Sequence, residues 1–312
     1  MEKKFMDCII GKTDSILLIG NDDLTASVAL CLLNAGHKLC VYTENETTFT
    51  QLFKMHVASQ KRNNYHISDL DALNVVNELP AQVKFNMVIA LTPEDLEVKM
   101  DLIQKLGQVI DTDIPIAINS ESISLDRLQS GCNHKIIGLN WTIPAHTTLF
   151  LEIITSEQSV DLAEELCQFA KANWGKDPLV VHSNGIRSRL ISAMAREASF
   201  LVDNGYASVD DIDRACRNDA GYYLPFSGNC RYMDLMGTYA YGMVMKDLNP
   251  DLSKGQEIPE FFKQILESGG LGIANKRGFY SYSSASVNNW RRTMEEFSYQ
   301  IQDIIQKYPF NY

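Results

Sequence analysis

Two hydrophobic periods alternate along the chain. Residues 16–19 form a short apolar run that ends at Gly20, as expected for a strand buried on both faces. Leu24, Val28, Cys31, Leu32 and Ala35 then recur at helical spacing, and Gly36 closes the helix they predict. A second apolar run, 38–42, follows directly. Strand, tight turn, helix and strand in about thirty residues define a right-handed unit whose two strands lie parallel.

The pattern continues through the next 140 or so residues, about one further domain's worth of chain. Residues 47–60 and 68–79 predict two helices joined by the polar KRNNYH, and 85–91 the next strand. Pro93 ends that strand, and Leu96, Met100, Ile103 and Leu106 mark one face of a helix over 94–109. A strand over 114–118 delivers Asn119, Ser120, Glu121 and Ser122 at its carboxyl end, where parallel sheets bind ligands. Strands over 135–139 (leading into Asn140 and Trp141), 149–154 and 179–182 accompany a helix over 160–172.

Beyond Asn184 the strand pattern stops. Helices are predicted over 186–202, 209–218, 231–246 and 259–267, with Ser208 and Asp211 placed as a helix cap. The change of architecture predicts an α/β domain over 1–183, a helical domain over 184–284 and an extra amphipathic helix over 285–312. In that tail Trp290, Met294, Phe297, Ile301, Ile304 and Tyr308 step by 4, 3, 4, 3 and 4, an apolar heptad seam. So short a seam is expected to pack on its own subunit, with contact to a second chain as the alternative.

Composition narrows the partners. A net charge of -11 and a pI near 5.0 argue against nucleic acid or an anionic membrane surface. The opening MEKKFMDCIIGK has no apolar core long enough for a signal peptide, and no stretch approaches a membrane span. The seven cysteines are odd in number and contain no C-x-x-C pair, so free thiols in a reducing cytoplasm are expected. The six histidines form no H-x-x-x-H or H-x-H cluster, and no structural metal is expected.

The first unit is the opening of a Rossmann-type dinucleotide-binding fold, where the turn seats a diphosphate on the helix N-terminus. Its fingerprint G-x-G-x-x-G falls here on Gly20, Asp22 and Thr25. A carboxylate at the second position repels phosphate, by about 4 kcal/mol at 4 Å and an effective dielectric near 20. The helix dipole returns only about 0.3–1 kcal/mol at an exposed end. Asn21, Asp22 and Asp23 therefore read as an N-cap cluster. The acidic residue expected to grip the adenine ribose is displaced by one place to Glu44, which reads equally as a solvated loop residue.

The segment NSESISLDRLQSGCNHKIIGLNWTIPAHTTLFLEIITSEQS, together with NGYASVDDIDRACRNDAGYYLPF, GGLGIANKRGFYSY and VIALTPEDLEVKMDLIQKL, resembles the L-3-hydroxyacyl-CoA dehydrogenases. The likeness runs from about Ser15 to Tyr282. It implies a Rossmann-type domain followed by a helical domain that forms homodimers. It further implies NAD as cofactor, an acyl-CoA-like substrate, and oxidation of 3-hydroxyacyl-CoA in fatty-acid metabolism.

The resemblance assigns catalytic positions residue by residue. The family's histidine base falls on Asn140 and its glutamate partner on Glu152. The family's serine falls on Glu121, with Ser122 beside it, and the asparagine opening the first C-terminal helix falls on Ser188. Gly20, Asp22, Glu44, Glu94, Lys99 and Asn119 fall on its cofactor cleft. The segment from Thr43 to Val88, which in the family forms a helical arm gripping CoA, is short.

Hydride transfer from an alcohol needs a base for the hydroxyl proton, and a carboxamide accepts none. Losing a positioned base costs about 10²- to 10⁴-fold in rate. Glu121 and Glu152 would instead form a carboxylate pair, one of them with a raised pKa. His146, six residues before Glu152, is a candidate displaced base on the same strand face, or a loop residue beside Pro144. Arg187, Arg189, Arg231 and Arg277 form a candidate anion site. Two functions follow: a divergent NAD-dependent oxidoreductase, or a binding and structural protein that kept the fold while the dehydrogenase machinery was lost.

Overall fold

The computed structural model describes residues 10–67, 69–80 and 84–308. The chain divides into two compact units, Met1–Ser188 and Arg189–Tyr312.

The first unit is built on one eight-stranded sheet. Strands β1 (Ser15–Ile19), β2 (Lys38–Tyr42), β3 (Leu73–Val76), β4 (Met87–Ala90), β5 (Ile116–Ile118), β6 (Ile136–Trp141), β7 (Phe150–Thr155) and β8 (Asp177–His182) take the order β3-β2-β1-β4-β5-β6-β7-β8. All neighbours pair in parallel except β6 and β7, whose antiparallel ladder sets Asn140 directly opposite Glu152. The order reverses between β1 and β4, which opens a crevice at their carboxyl ends.

Successive strand residues point to opposite faces, and the core divides accordingly. Ile16 and Leu18 join one cluster with helices α1 (Asp23–Asn34), α2 (Glu46–Arg62) and α5 (Val160–Asn173). Leu17 and Ile19 join the other, with α3 (Leu96–Leu106) and α4 (Leu125–Gln129). Both faces are covered, which is why these strands carry continuous apolar runs.

The helix predicted over 68–79 is instead a 3-10 turn, Leu70–Ala72, followed by β3. Leu73 to Val76 pair with Leu39 to Tyr42, so ladder hydrogen bonds at the sheet edge override a weak helical pattern. Only α2, from the two helices expected there, stands between β2 and β3.

The second unit takes up most of α6 (Arg187–Asp203), then α7 (Val209–Ala215), a π turn at Cys216–Ala220, α8 (Gly221–Met236), α9 (Thr238–Leu248), α10 (Glu260–Glu267) and α11 (Ser284–Lys307). The single helix predicted over 231–246 is two. Gly237, at φ +107°, breaks it, in a conformation that only glycine adopts readily. The break between units falls inside α6 rather than at 183, because Arg187 and Ser188 are hydrogen-bonded to side chains of the first unit.

Val287 and Tyr299 are the only buried apolar side chains among the described residues of the second unit. Leu190, Met194, Tyr222, Leu235 and Tyr239 are all more than half exposed. The tail helix lies against α8 of its own chain and buries Val287 and Tyr299, but Trp290, Met294, Phe297, Ile304 and Tyr308 of its seam are exposed.

Asp22 is the N-cap of α1, its carboxylate accepting from the Thr25 amide at 2.9 Å and the Thr25 hydroxyl at 2.7 Å. Asp22→Ala is expected to lower stability by about 1 kcal/mol, and Asp22→Asn to preserve it, read from urea unfolding midpoints.

Candidate functional site

The carboxyl ends of β5, β6 and β7 and the first turn of α6 bring the candidate catalytic residues together. Glu152, on the central face of β7, is fully buried. A carboxylate out of water must be paired or fully hydrogen-bonded. It accepts from Asn140 Nδ2 at 2.9 Å through one oxygen, and from the amides of Ile186 at 2.8 Å and Arg187 at 3.0 Å through the other. Glu152 therefore caps α6. Gly185 permits this approach, since a Cβ there would collide with the carboxylate.

Asn140 is equally committed. Its Oδ1 accepts from the Ser120 amide at 2.8 Å, and its Nδ2 donates to the Ser120 carbonyl at 2.8 Å as well as to Glu152. The carboxamide bridges the loop after β5 to the buried carboxylate, and it holds no proton-accepting nitrogen. The sequence placed Ser120 at this strand end beside Asn119, but gave it no role of its own.

Glu121 stands on the open side of this bridge. Arg187 Nη1 donates to its Oε1 at 3.1 Å, and the Ser188 hydroxyl donates to Oε2. Burial raises the pKa of Glu121; Arg187 pulls it down, the Glu152 and Glu94 charges push it up, and the net shift is upward. The raised pKa expected of one carboxylate here falls on Glu121. Of the four arginines proposed as an anion site, Arg187 bonds Glu121; Arg189, Arg231 and Arg277 belong to the second unit.

Glu94, Lys99 and Asn119 form a separate clamp. Lys99, with no exposed surface, donates to Thr92 Oγ1 at 2.9 Å and the Asn119 carbonyl at 2.7 Å, and pairs with Glu94 at 3.4 Å. Glu94 Oε1 accepts from the amides of Glu121, Ser122 and Ile123 and from the Ser122 hydroxyl. Burial raises the Glu94 pKa, but those amides and Lys99 outweigh it and hold the carboxyl below its ordinary value. Burial also lowers the Lys99 pKa, against the pull of Glu94.

At the first turn, the Thr25 side chain lies against Gly20, where a Cβ would collide with it. Asn21 Oδ1 accepts from the Thr43 hydroxyl at 3.0 Å and the Glu44 amide at 2.7 Å, tying the turn to the end of β2. The Glu44 side chain itself is exposed.

His146 is not on the Glu152 face. Its Nδ1 lies 3.0 Å from Ser27 Oγ of α1, and its ring meets that of His56 at 5.0 Å. Burial, then the His56 and Lys176 charges, push its pKa down to about 3, so the ring is neutral at ordinary pH. The six cysteines among the described residues are free thiols; Cys8 lies outside them. Among the described residues no three His, Cys, Asp or Glu side chains are placed to hold a metal ion, and no helix is long and apolar enough to cross a membrane.

A parallel sheet with its crevice at β1 and β4, followed by a helical unit, defines a dinucleotide-binding α/β protein with a helical C-terminal domain. Residues 15–184 match the family model of the 3-hydroxyacyl-CoA dehydrogenase NAD-binding domain, and 186–282 that of the 3-hydroxyacyl-CoA dehydrogenase C-terminal domain. The chain belongs to the 3-hydroxyacyl-CoA dehydrogenase family.

Among its relatives is a 5-formyl-3-hydroxy-2-methylpyridine 4-carboxylate 5-dehydrogenase of Mesorhizobium japonicum, 24% identical over 203 residues, 64% of this chain and 66% of that protein. Another is the 3-hydroxyadipyl-CoA dehydrogenase of Escherichia coli, 23% identical over 286 residues, 86% of this chain and 59% of that protein. The chain thus spans less than two thirds of either relative. The fold is shared with the crystal structure of a 5-formyl-3-hydroxy-2-methylpyridine 4-carboxylic acid 5-dehydrogenase, described as an NAD+-dependent dismutase. That match has a TM-score of 0.85 at 18% identity and covers 94% of this chain and 99% of that one. A 3-hydroxybutyryl-CoA dehydrogenase from Ralstonia eutropha matches with a TM-score of 0.68 at 17% identity over 87% of this chain and all of that one. The family and these neighbours associate the fold with NAD.

Asn140→Ala would leave Glu152 and Ser120 short of partners in a dry site. It is expected to cost about 3 kcal/mol, measured by denaturant unfolding. Glu94 has a folded-state pKa below its unfolded value. Its contribution is complete above the unfolded value, about 4.3, and is lost as pH falls through the folded one. The acid limb of the stability–pH curve should therefore flatten in Glu94→Gln.

Proposed function

We propose that the protein is a non-redox member of the 3-hydroxyacyl-CoA dehydrogenase family, a homodimeric binding protein that does not oxidise 3-hydroxyacyl-CoA. The observation that carries this reading is Asn140. The position that the resemblance gives to the base holds a buried carboxamide whose hydrogen-bonding groups are already engaged. Glu152, which the resemblance pairs with an imidazole, instead caps a helix.

The nucleotide crevice supports the same reading. Its diphosphate position is met by Asp22, which already takes the Thr25 amide, and its ribose end by the Asn21 bridge to Thr43 and Glu44. The residues present do not fit a diphosphate. A CoA-like ligand would also lack the family's helical arm, since among the described residues α2 is the one α-helix between β2 and β3.

A homodimer through the second unit is supported by its exposed apolar side chains, Leu190, Met194, Tyr222, Leu235 and Tyr239 among them. A unit that buries two apolar side chains among its described residues gains too little to offset chain entropy, and a second copy would supply the missing cover. The unpaired thiols fit a reducing cytoplasm. A second reading keeps proton chemistry at the same site, favoured by Glu121 and its raised pKa.

Calorimetric titration with NAD+ and NADH is expected to give no heat of binding. Micromolar affinity, or reduction of acetoacetyl-CoA at the expense of NADH, would overturn the non-redox reading. In sedimentation the full chain is expected as a dimer, and removal of residues 288–312 should weaken that dimer at least tenfold. An unchanged association constant would assign the exposed seam of α11 no part in the contact.

A further inference from the structure

We propose that Ser188, hydrogen-bonded to Glu121, is a nucleophile, and that this pair makes the site competent for acyl transfer from an ester or thioester. The proposal rests on the reading that the inherited site carries no hydride chemistry.

Three side chains at one end of α6 satisfy the geometry of an activated nucleophile: nucleophile bonded to base, and base oriented by a third group. Ser188 donates its hydroxyl to Oε2 of Glu121, and Arg187 holds Oε1 of the same carboxylate at 3.1 Å. The guanidinium thereby fixes the carboxylate with its second oxygen toward the serine. All three side chains are partly open to solvent, unlike Asn140 and Glu152 beneath them.

Anchoring α6 does not need this trio. Glu152 already accepts from the Ile186 and Arg187 amides, and does so from a fully buried position. The next first-turn donor is the amide of Ser188 itself, one of the four that a helix leaves without an intrahelical acceptor. A helix N-terminus with such an N–H beside a nucleophile is suited to a developing oxyanion. The resemblance gives a serine to position 121 and an asparagine to 188; here the pair is Glu121 and Ser188, and each bonds the other.

The step balances without an oxidant or reductant. Ser188 Oγ forms a bond to the acyl carbon while its proton passes to Glu121. The C–S or C–O bond to the leaving group breaks, and the departing thiolate or alkoxide takes that proton. Water then attacks the acyl-serine, gives its proton through Glu121 to Ser188 Oγ, and releases the carboxylic acid.

A fluorophosphonate probe reads the nucleophile without knowledge of the natural substrate. On the intact protein it is expected to form one adduct, mapped to Ser188 by peptide mass spectrometry, with p-nitrophenyl acetate hydrolysed at the same site. Ser188→Ala should abolish the adduct. Glu121→Gln, which keeps the side-chain length and one acceptor oxygen but removes the base, should slow it by about 100-fold, with the melting temperature read alongside. The labelling rate of the wild type should rise with pH as Glu121 loses its proton, and that dependence should vanish in Glu121→Gln. Should Ser188→Ala melt early, Ser188→Cys keeps a nucleophile, and its alkylation rate should fall with Glu121→Gln. No adduct at Ser188, or an adduct rate indifferent to Glu121→Gln, overturns the proposal. Neither result bears on NADH binding, which tests the non-redox reading separately.

Discussion

A carboxylate sealed from water governs the architecture of this site. Glu152 has no exposed surface, and its two oxygens must find donors or the strand that carries it cannot remain buried. It finds them on three sides: the Asn140 carboxamide from the neighbouring strand and two amides from the start of α6. One side chain thereby ties β7 to β6, ends the loop after β8, and fixes where the next helix begins. Asn140 transmits the constraint further, because its remaining groups are spent on Ser120 in the loop after β5.

The same logic explains why the crevice is occupied by its own chain. Where the family's resemblance places groups that meet a cofactor, Lys99 and Glu94 clamp the 119–123 loop, Asp22 caps α1, and Asn21 bridges to β2. Each of these polar groups is engaged locally. Lys99 alone among them is sealed from water, while Asn21, Asp22 and Glu94 hold their local partners at the surface. Glu121, Arg187 and Ser188 are partly open to solvent as well, with Glu121 bonded to both of the others.

The two units obey different economies of burial. The sheet of the first unit separates two apolar clusters, and its strands are dry on both faces. The second unit has helices with apolar stripes but few side chains out of water among its described residues. An amphipathic helix is stabilised chiefly by the surface its apolar face meets, so such stripes call for cover. The exposed seam of α11, which follows the last residue matched by the family's C-terminal domain, extends that demand along the tail.

The strand–helix–strand opening was legible in the sequence because buried parallel strands leave continuous apolar runs, and a helix leaves its own period. The change to all-helical pattern after Asn184 was legible for the same reason. The cap role of Asp22 was readable too, since a carboxylate beside a helix start acts within three residues. What only tertiary structure decided were events between distant segments. Leu73–Val76, expected within a helix, became an edge strand because β2 offered ladder hydrogen bonds, and His146 turned to Ser27 of α1 rather than toward Glu152. The bond between Glu121 and Ser188 joins positions 67 apart, and the capping of α6 by Glu152 joins positions 34 apart. Local sequence carries period and propensity; which polar groups meet is settled only when the sheet closes and buried charge must find its donors.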